Sequence, residues 1–366
     1  MGTIALYLPS MNGGGAEKVS SSLANFFITE GFKVDLLLTK KTGKFLKLLD
    51  DNVNIIELSG KRVALDIIPL LNYVRKSSPK VIISSMTHCN LILATVAVIS
   101  KKDCKYVGTE HTNFSQAIYN HSYFKKCLIK VLIKNLYTQL NGIVSVSSGV
   151  KSDLITHFPK LESKIEVIYN PFDLSFIHNE ALKDCMHAWL QPNREYKTIL
   201  SIGRLTYAKD YKNLIRAMTI VNKTLNARLI ILGEGEMEED LKNYILANHL
   251  SHIIHMAGFE ANPFSYLSRA DVYVLSSKHE GLPSSLIEAL VCNTSIISTD
   301  CPSGPSEILQ EGKWGKLVPV GDSEALSNAI INVLSEERLK VDTSNRAIDF
   351  SVSNIGNKYI EYIDKV

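Results

Sequence analysis

The chain predicts an α/β protein made of two doubly wound parallel sheets, and three observations carry that prediction. Short, β-branched apolar runs recur along it, of the kind found in strands buried on both faces. Each run hands over through a glycine- or serine-bearing turn to a stretch of helical period. Finally, 366 residues exceed one ordinary core, so the series divides into two domains. The expected division is residues 1–172, together with a last helix from about 351 to 366, and residues 173–350.

Composition narrows the class. Hydrophobic residues make up 45% and charged residues 21%, as in soluble globular proteins. No apolar run reaches the roughly 18 residues that a membrane-spanning helix needs. Residues 1–3 lead straight into a strand-like run, without a basic segment or cleavage pattern, so no signal peptide is expected. Cys89, Cys104, Cys127, Cys185, Cys292 and Cys301 are scattered and form no Cys-x-x-Cys pair. They read as reduced thiols of a cytoplasmic protein, not as a disulfide frame or zinc site. A net charge of +3 is too mild to imply nucleic acid.

Residues 3–9 form the first strand, and Asn12-Gly13-Gly14-Gly15-Ala16-Glu17 opens a helix running to about Glu30, with Gly31 as its stop. Residues 33–38 are the second strand. The three contiguous glycines do not meet G-x-G-x-x-G, which argues against a dinucleotide site. Further strands are expected at 81–85, 106–111, 143–147 and 165–171. His111 then stands at a strand's carboxyl end, where open α/β sheets bind ligands. Residues 172–196 show no convincing period and read as a linker plus the entry to the second domain.

The second domain begins with a strand at 198–205 that ends in Gly203-Arg204-Leu205, with Lys209 following and a helix starting near Asn213. An arginine and a lysine at such a mouth suit a diphosphate. A strand at 227–232 leads into Gly233-Glu234-Gly235-Glu236, and a short strand ends at Gly258-Phe259. The run 272–275 then turns through Ser276-Ser277-Lys278-His279-Glu280-Gly281-Leu282 into a helix whose first position is Pro283, followed by Ser284 and Ser285. Such a turn aims backbone N–H groups and a positive dipole end above the sheet. Glu280 in the turn and Glu288 in the helix would repel phosphate but suit sugar hydroxyls. A strand at 295–300, a loop containing Gly304, and a final helix from about 352 to 364 complete the chain.

Glu280 and Glu288, together with Glu280-Gly281-Leu282-Pro283, Gly203-Arg204-Leu205 and Lys209, resemble the E-x7-E and G-R-L…K motifs of retaining glycosyltransferase family 4. The resemblance spans both halves of the chain. It implies the GT-B fold, in which two Rossmann-like domains face each other across a cleft and the C-terminal helix crosses back to the first. It assigns the leaving diphosphate to Arg204 and Lys209, donor-sugar hydroxyls to Glu280, the ribose to Glu288, and the region of the sugar's 6-position to His111. Gly14, Gly15, Gly203, Glu234, Phe259, Gly281, Leu282, Pro283, Ser284 and Gly304 would surround the nucleotide sugar. No metal is expected, and the chain lacks the Asp-x-Asp triplet of the other glycosyltransferase fold. The donor expected is a UDP-hexose carrying Gal, GalNAc or GlcNAc, used in bacterial surface polysaccharide or lipid-linked oligosaccharide synthesis. No cofactor beyond that substrate is implied.

One segment admits two readings. Lys126, Lys130 and Lys134 recur every fourth residue and share one helical face, beside Lys125, while Leu128, Ile129, Leu132, Ile133 and Leu136 cover the other side. This fits a packed helix with a solvated lysine face. It also fits a cationic helix at an anionic membrane surface that holds a polyprenyl-diphosphate-linked acceptor, placing the protein on the inner face of the cytoplasmic membrane. Two other functions stay open: a catalytically silent membrane- or partner-binding subunit, and a UDP-N-acetylglucosamine 2-epimerase. The epimerase is not expected to carry both the Gly203-Arg204…Lys209 and Glu280…Glu288 sets.

Overall fold

The computed structural model describes residues 2–12, 14–100, 103–119, 121–335 and 342–366. Gly13, part of the expected glycine turn, lies outside them. The chain separates into two compact units, Met1–Phe172 with Phe350–Val366, and Asp173–Asp349.

The first unit carries strands β1 (Thr3–Leu8), β2 (Lys33–Leu38), β3 (Asn54–Glu57), β4 (Val81–Ser85), β5 (Lys105–Glu110), β6 (Gly142–Ser145) and β7 (Ile165–Val167). They lie in the order β3-β2-β1-β4-β5-β6-β7, with every pairing parallel. The second unit carries β8 (Lys197–Ile202), β9 (Ala227–Leu232), β10 (Ile254–Gly258), β11 (Val272–Leu275), β12 (Ile296–Thr299) and β13 (Lys316–Val318), in the order β10-β9-β8-β11-β12-β13. These pairings are parallel too. Parallel strands need crossover helices on both faces, which explains why runs such as Val81–Ser85 and Val272–Leu275 are buried at every position.

Strand order reverses between β1 and β4 in one sheet and between β8 and β11 in the other. At such a switch point the two connections leave toward opposite faces and open a crevice beyond the strands' carboxyl ends. The loops after β1, β8 and β11 therefore open at the two switch points.

The helix Val352–Lys365 belongs to the first unit, where it packs on the helix Gly15–Thr29. Its Tyr362 hydroxyl donates to the Lys164 carbonyl at 2.7 Å and accepts from the Ile143 N–H at 3.0 Å. A side chain at Gly142 would strike this tyrosine, so glycine there opens the approach. The chain enters and leaves the unit side by side, the Phe172 N–H donating to the Phe350 carbonyl at 2.8 Å.

Three expectations need correcting. Residues 172–196 enter the second unit as expected but are not without regular structure: they contain the helix Leu174–Ala181 and a 3-10 turn at Ala188–Leu190. The helix is capped by Asp173, whose carboxylate accepts from the Phe176 N–H at 2.9 Å, but with eight residues it buries only Ile177 and Ala181, too short a stripe to show a period. Pro283 is the cap of its helix and not its first turn; its ψ of 103° is extended, and the helix starts at Ser284.

The third correction concerns the lysine segment, which is the helix Tyr123–Leu136. Leu128 does not belong to its packed side. Ile133 is buried and Ile129 and Leu136 lean on the core, whereas Phe124, Leu128 and Val131 are 85%, 58% and 55% exposed. The outward stripe is therefore apolar, with exposed Lys130 and Lys134 along one border and exposed Lys125 along the other. Lys126 turns back to lie 5.7 Å from the centre of the Tyr119 ring.

Candidate active site

The loop after β8 begins with Gly203, whose N–H donates to the Leu232 carbonyl at 3.0 Å. Leu205 exchanges two further backbone bonds with the turn after β9, its N–H donating to the Glu234 carbonyl at 2.9 Å and its carbonyl accepting from Met237 at 3.0 Å. Gly233 sits at φ +140°, with its hydrogen against the Gly203 carbonyl oxygen. A methyl there would overlap that oxygen, so glycine is what lets the two turns touch. The loop places Arg204 in solvent, and its guanidinium has no hydrogen-bond or ion-pair partner among the described residues. A 3-10 turn at Tyr207–Lys209 and a left-handed Asp210, φ +47°, then direct the chain into the helix Tyr211–Val221.

The loop after β11 meets this one across the switch point. Lys209 Nζ lies 2.6 Å from Glu280 Oε1, and both side chains are largely withdrawn from water. Ser277 Oγ donates to the same carboxylate oxygen at 2.6 Å. Two further bonds tie the loops together: Ser276 Oγ donates to the Lys209 carbonyl at 2.8 Å, and the Lys278 N–H to the Ala208 carbonyl at 2.7 Å. The Lys278 ammonium stacks 3.7 Å from the Tyr207 ring centre and 3.6 Å from Asp210. Thr299, at the end of β12, donates to the Ser277 carbonyl at 2.6 Å. Gly304, at φ +102°, brings the next loop against Pro283 and Leu282.

Beneath the loops lies a buried polar layer. Tyr211 donates to the Gly203 carbonyl at 3.0 Å, and Tyr273 to Ser285 at 2.6 Å. Burial first, and the nearby Glu280 carboxylate with it, pushes both phenols well above their ordinary range. Burial, reinforced by Glu280, pushes the Cys301 thiol up to about 12. Glu288 is buried within the helix Ser284–Val291.

Gly203, Arg204 and Lys209 follow β8, Glu234 follows β9, and Phe259 follows β10. Glu280, Gly281, Leu282, Pro283, Ser284 and Glu288 follow β11, and Gly304 follows β12. All of them stand at the carboxyl side of one parallel sheet. Lys209 and Glu280 touch directly, while Arg204, Glu234 and Phe259 are exposed around them. In the first unit, Gly14 and Gly15 follow β1 and His111 follows β5. His111 Nε2 is buried without a partner, and burial lowers the imidazole pKa to about 4. The ring borders a cavity of ≈ 650 Å³ that Met86, His88, His121 and Lys125 also line. The first of these is a non-glycine residue at φ +78°. Sequence reading missed the anchoring Ser276 and Ser277, and the cavity; for the serines, a hydroxyl pair immediately after a buried strand was the available signal. No group of three or more His, Cys, Asp or Glu side chains among the described residues could hold a metal ion.

Two family models match the chain almost end to end: "Glycosyltransferase Family 4" over residues 13–176 and "Glycosyl transferases group 1" over residues 186–350. The chain is a family 4-like GT-B glycosyltransferase. Its curated relatives include the Campylobacter jejuni N-acetylgalactosamine-N,N'-diacetylbacillosaminyl-diphospho-undecaprenol 4-alpha-N-acetylgalactosaminyltransferase, 27% identical over 95% of this chain and 94% of that one. Among solved structures, this glycosyltransferase is similar in fold to one from Rickettsia africae, with a TM-score of 0.82, 18% identity, and coverage of 99% and 98% of the two chains. It is also similar to HepE of Anabaena in complex with UDP, with a TM-score of 0.81, 18% identity and full coverage of both.

Proposed function

We propose that this glycosyltransferase moves a hexose (Gal, GalNAc or GlcNAc) from a UDP-sugar to a lipid-linked glycan acceptor, with retention of anomeric configuration, in bacterial surface-glycan synthesis. The observation that carries this reading is the Lys209–Glu280 pair at the second sheet's switch point, 2.6 Å long, with the exposed Arg204 guanidinium, unpartnered among the described residues, on the same loop as Lys209. Cations and a carboxylate so placed divide the labour a sugar diphosphate demands. Arg204, Lys209 and the helix start after Pro283 receive the diphosphate, while Glu280 offers its second oxygen to sugar hydroxyls and Glu288 accepts from the ribose. Gly203, Glu234, Phe259, Gly281, Leu282, Ser284 and Gly304 wall the nucleotide sugar; in the first unit, Gly14, Gly15 and His111 are proposed as ligand contacts at that sheet's own carboxyl end.

The names of similar proteins support the substrates. The Campylobacter jejuni relative transfers N-acetylgalactosamine to a diphospho-undecaprenol-linked sugar, and HepE was solved with UDP.

In the proposed step the bond between the sugar's anomeric carbon and the diphosphate oxygen breaks. The acceptor oxygen bonds to that carbon on the same face, and its proton leaves with the diphosphate. Charge builds on the departing oxygens, so electrostatic stabilisation there is the protein's main contribution, on the order of a few kcal/mol per well-placed cation. The helix Tyr123–Leu136 presents Phe124, Leu128 and Val131 between lysine borders, a pattern that suits an anionic bilayer surface on which a lipid-linked acceptor resides. No helix among the described residues is long and apolar enough to cross a membrane.

The test is a panel of UDP- and GDP-sugars followed by thermal unfolding and by slow donor hydrolysis. One UDP-hexose should stabilise the fold and be released as free sugar and UDP, both effects being lost in Glu288→Ala. No response to any nucleotide sugar or to UDP would refute the reading.

A further inference from the structure

Two histidines of the second unit, His187 and His255, are joined by a bond that tolerates a single set of protonation states. His187 caps the 3-10 turn Ala188–Leu190, in the segment by which the chain enters the unit, and His255 lies on β10, at the edge of the sheet. His187 Nε2 and His255 Nδ1 are 2.7 Å apart. The other ring nitrogen of His187 forms the cap, Nδ1 accepting from the Trp189 N–H at 3.1 Å. An accepting ring nitrogen carries no proton, so the proton of neutral His187 sits on Nε2 and is donated to a bare His255 Nδ1. Both rings are then neutral, and His255 keeps its own proton on Nε2. A further proton has no place. With the cap holding His187 Nδ1 empty, it would fill both facing nitrogens and set donor against donor. The same cap disfavours a metal ion between the rings, since ligation through Nε2 needs the proton on Nδ1.

The surroundings do not offset an added charge. The Trp189 ring centre lies 5.7 Å from that of His187 and 5.8 Å from that of His255, and the Tyr266 ring centre 5.8 Å from that of His187. Of the ionisable groups packed against these rings, Arg228 has the same sign, its guanidinium 5.2 Å from the Trp189 ring centre, and Cys185 beside Tyr266 is a buried thiol. The carboxylate on this side, Glu260, is engaged by the Tyr266 hydroxyl at 3.2 Å. Burial, and after it the His255 imidazole, lower the His187 pKa from its ordinary 6.5. The stretch that the pair secures has fixed ends. The Ala181 carbonyl accepts from Ser268 Oγ at 2.9 Å, and the Trp189 carbonyl from Thr198 Oγ1 at 2.7 Å. Between those ends Leu182, Lys183, Asp184 and Met186 stand exposed.

We propose that His187 and His255 form a proton-operated clasp, which holds the entry segment on the edge of the second sheet while both rings are neutral and releases it when one more proton binds. The unfolded chain takes that proton more readily than the folded pair does. The clasp's contribution to stability is therefore complete above about pH 6.5 and is lost as pH falls below that value. The rival role is a plain turn cap, to which His255 adds nothing.

Amide hydrogen exchange of the full chain over residues 182–190, corrected for the intrinsic pH dependence of exchange, reads the clasp between about pH 8 and about pH 5. The readout is local because His111 acts on stability in the same window from the other unit. Protection should fall as pH drops, by up to about tenfold per pH unit once the folded pair takes up its proton. His187→Asn keeps a capping oxygen for the Trp189 N–H but removes the titrating ring, so its protection should not change with pH. His255→Phe keeps a ring without an acceptor and should be less protected than wild type even at the alkaline end. Thermal unfolding at that end checks that both variants fold, and the wild-type titration stands without them. Wild-type protection that is constant with pH, or an equal pH dependence in His187→Asn, would overturn the proposal. Wild-type protection in His255→Phe would overturn it too, leaving a plain turn cap.

Discussion

Lys209 Nζ lies 2.6 Å from Glu280 Oε1 and so joins the loop after β8 to the loop after β11 across the point where the second sheet reverses its order. The side chains are 18% and 12% exposed, so the bond is shielded more than a surface ion pair would be. Removing one partner leaves the other charge poorly solvated. Lys209→Met should therefore cost about 1–3 kcal/mol of stability and lower kcat by about 10²–10³. Lys209→Met/Glu280→Gln should melt above Lys209→Met alone, because the orphaned carboxylate is gone. A double-mutant cycle on thermal unfolding reads the coupling, and strictly additive effects would show that the pair contributes nothing.

The contact of Gly233 with Gly203 makes a second prediction. Gly233→Ala combines a φ of +140° with a methyl pressed on backbone, neither of which can relax, and should cost about 2 kcal/mol or more. Gly258→Ala, at φ +76° but facing open space, should cost only about 1–2 kcal/mol. Denaturant unfolding of both distinguishes crowding from backbone strain, and equal losses would remove the close approach from the account.

His111 makes stability depend on pH. Burial holds its folded-state pKa at about 4, below the ordinary 6.5, so between those values the unfolded chain binds the proton first. Stability should fall as pH drops from 6.5 toward 4, by up to about 3 kcal/mol. Buried Glu110 works the other way, since burial raises its pKa against the bonds from Tyr137, Asn90 and Thr87. The difference between wild type and His111→Gln isolates the histidine. A pH-independent difference would mean that the imidazole is not buried as described.

The helix Tyr123–Leu136 should hold the protein on anionic vesicles through both its charge and its apolar stripe. Lys130→Glu/Lys134→Glu and, separately, Phe124→Ser/Leu128→Ser are each expected to abolish co-sedimentation with phosphatidylglycerol liposomes while leaving donor hydrolysis unchanged. Retained binding in both would take this helix out of the membrane account. Lys126→Glu should matter less, because that side chain turns toward Tyr119.

The strands were legible where the sequence is most extreme. Val81–Ser85 and Val272–Leu275 are buried on both faces, so their apolar runs are uninterrupted and flanked by turns. Short edge strands such as Asn54–Glu57 and Lys316–Val318 bury one side at most and left no such mark. In the candidate site, Arg204, Lys209, Glu280 and Glu288 were visible because charge is conspicuous just beyond a buried strand. That Lys209 would bind Glu280 was not, since the two are brought together only by the pairing of β8 with β11. Nor could the sequence show that Leu128 would face out. An i, i+4 pattern places residues on a helical face but does not say which face the neighbouring helices cover.

The central claim is that cations at the second sheet's switch point stabilise a departing diphosphate, and Arg204 tests it most cleanly, because its exposed side chain has no partner among the described residues. The measurement is the rate of UDP release from the UDP-hexose that stabilises the protein, comparing Arg204→Ala with wild type. The account predicts a fall of about 10²–10³ in kcat with Tm within about a degree of wild type. UDP release at the wild-type rate would contradict it.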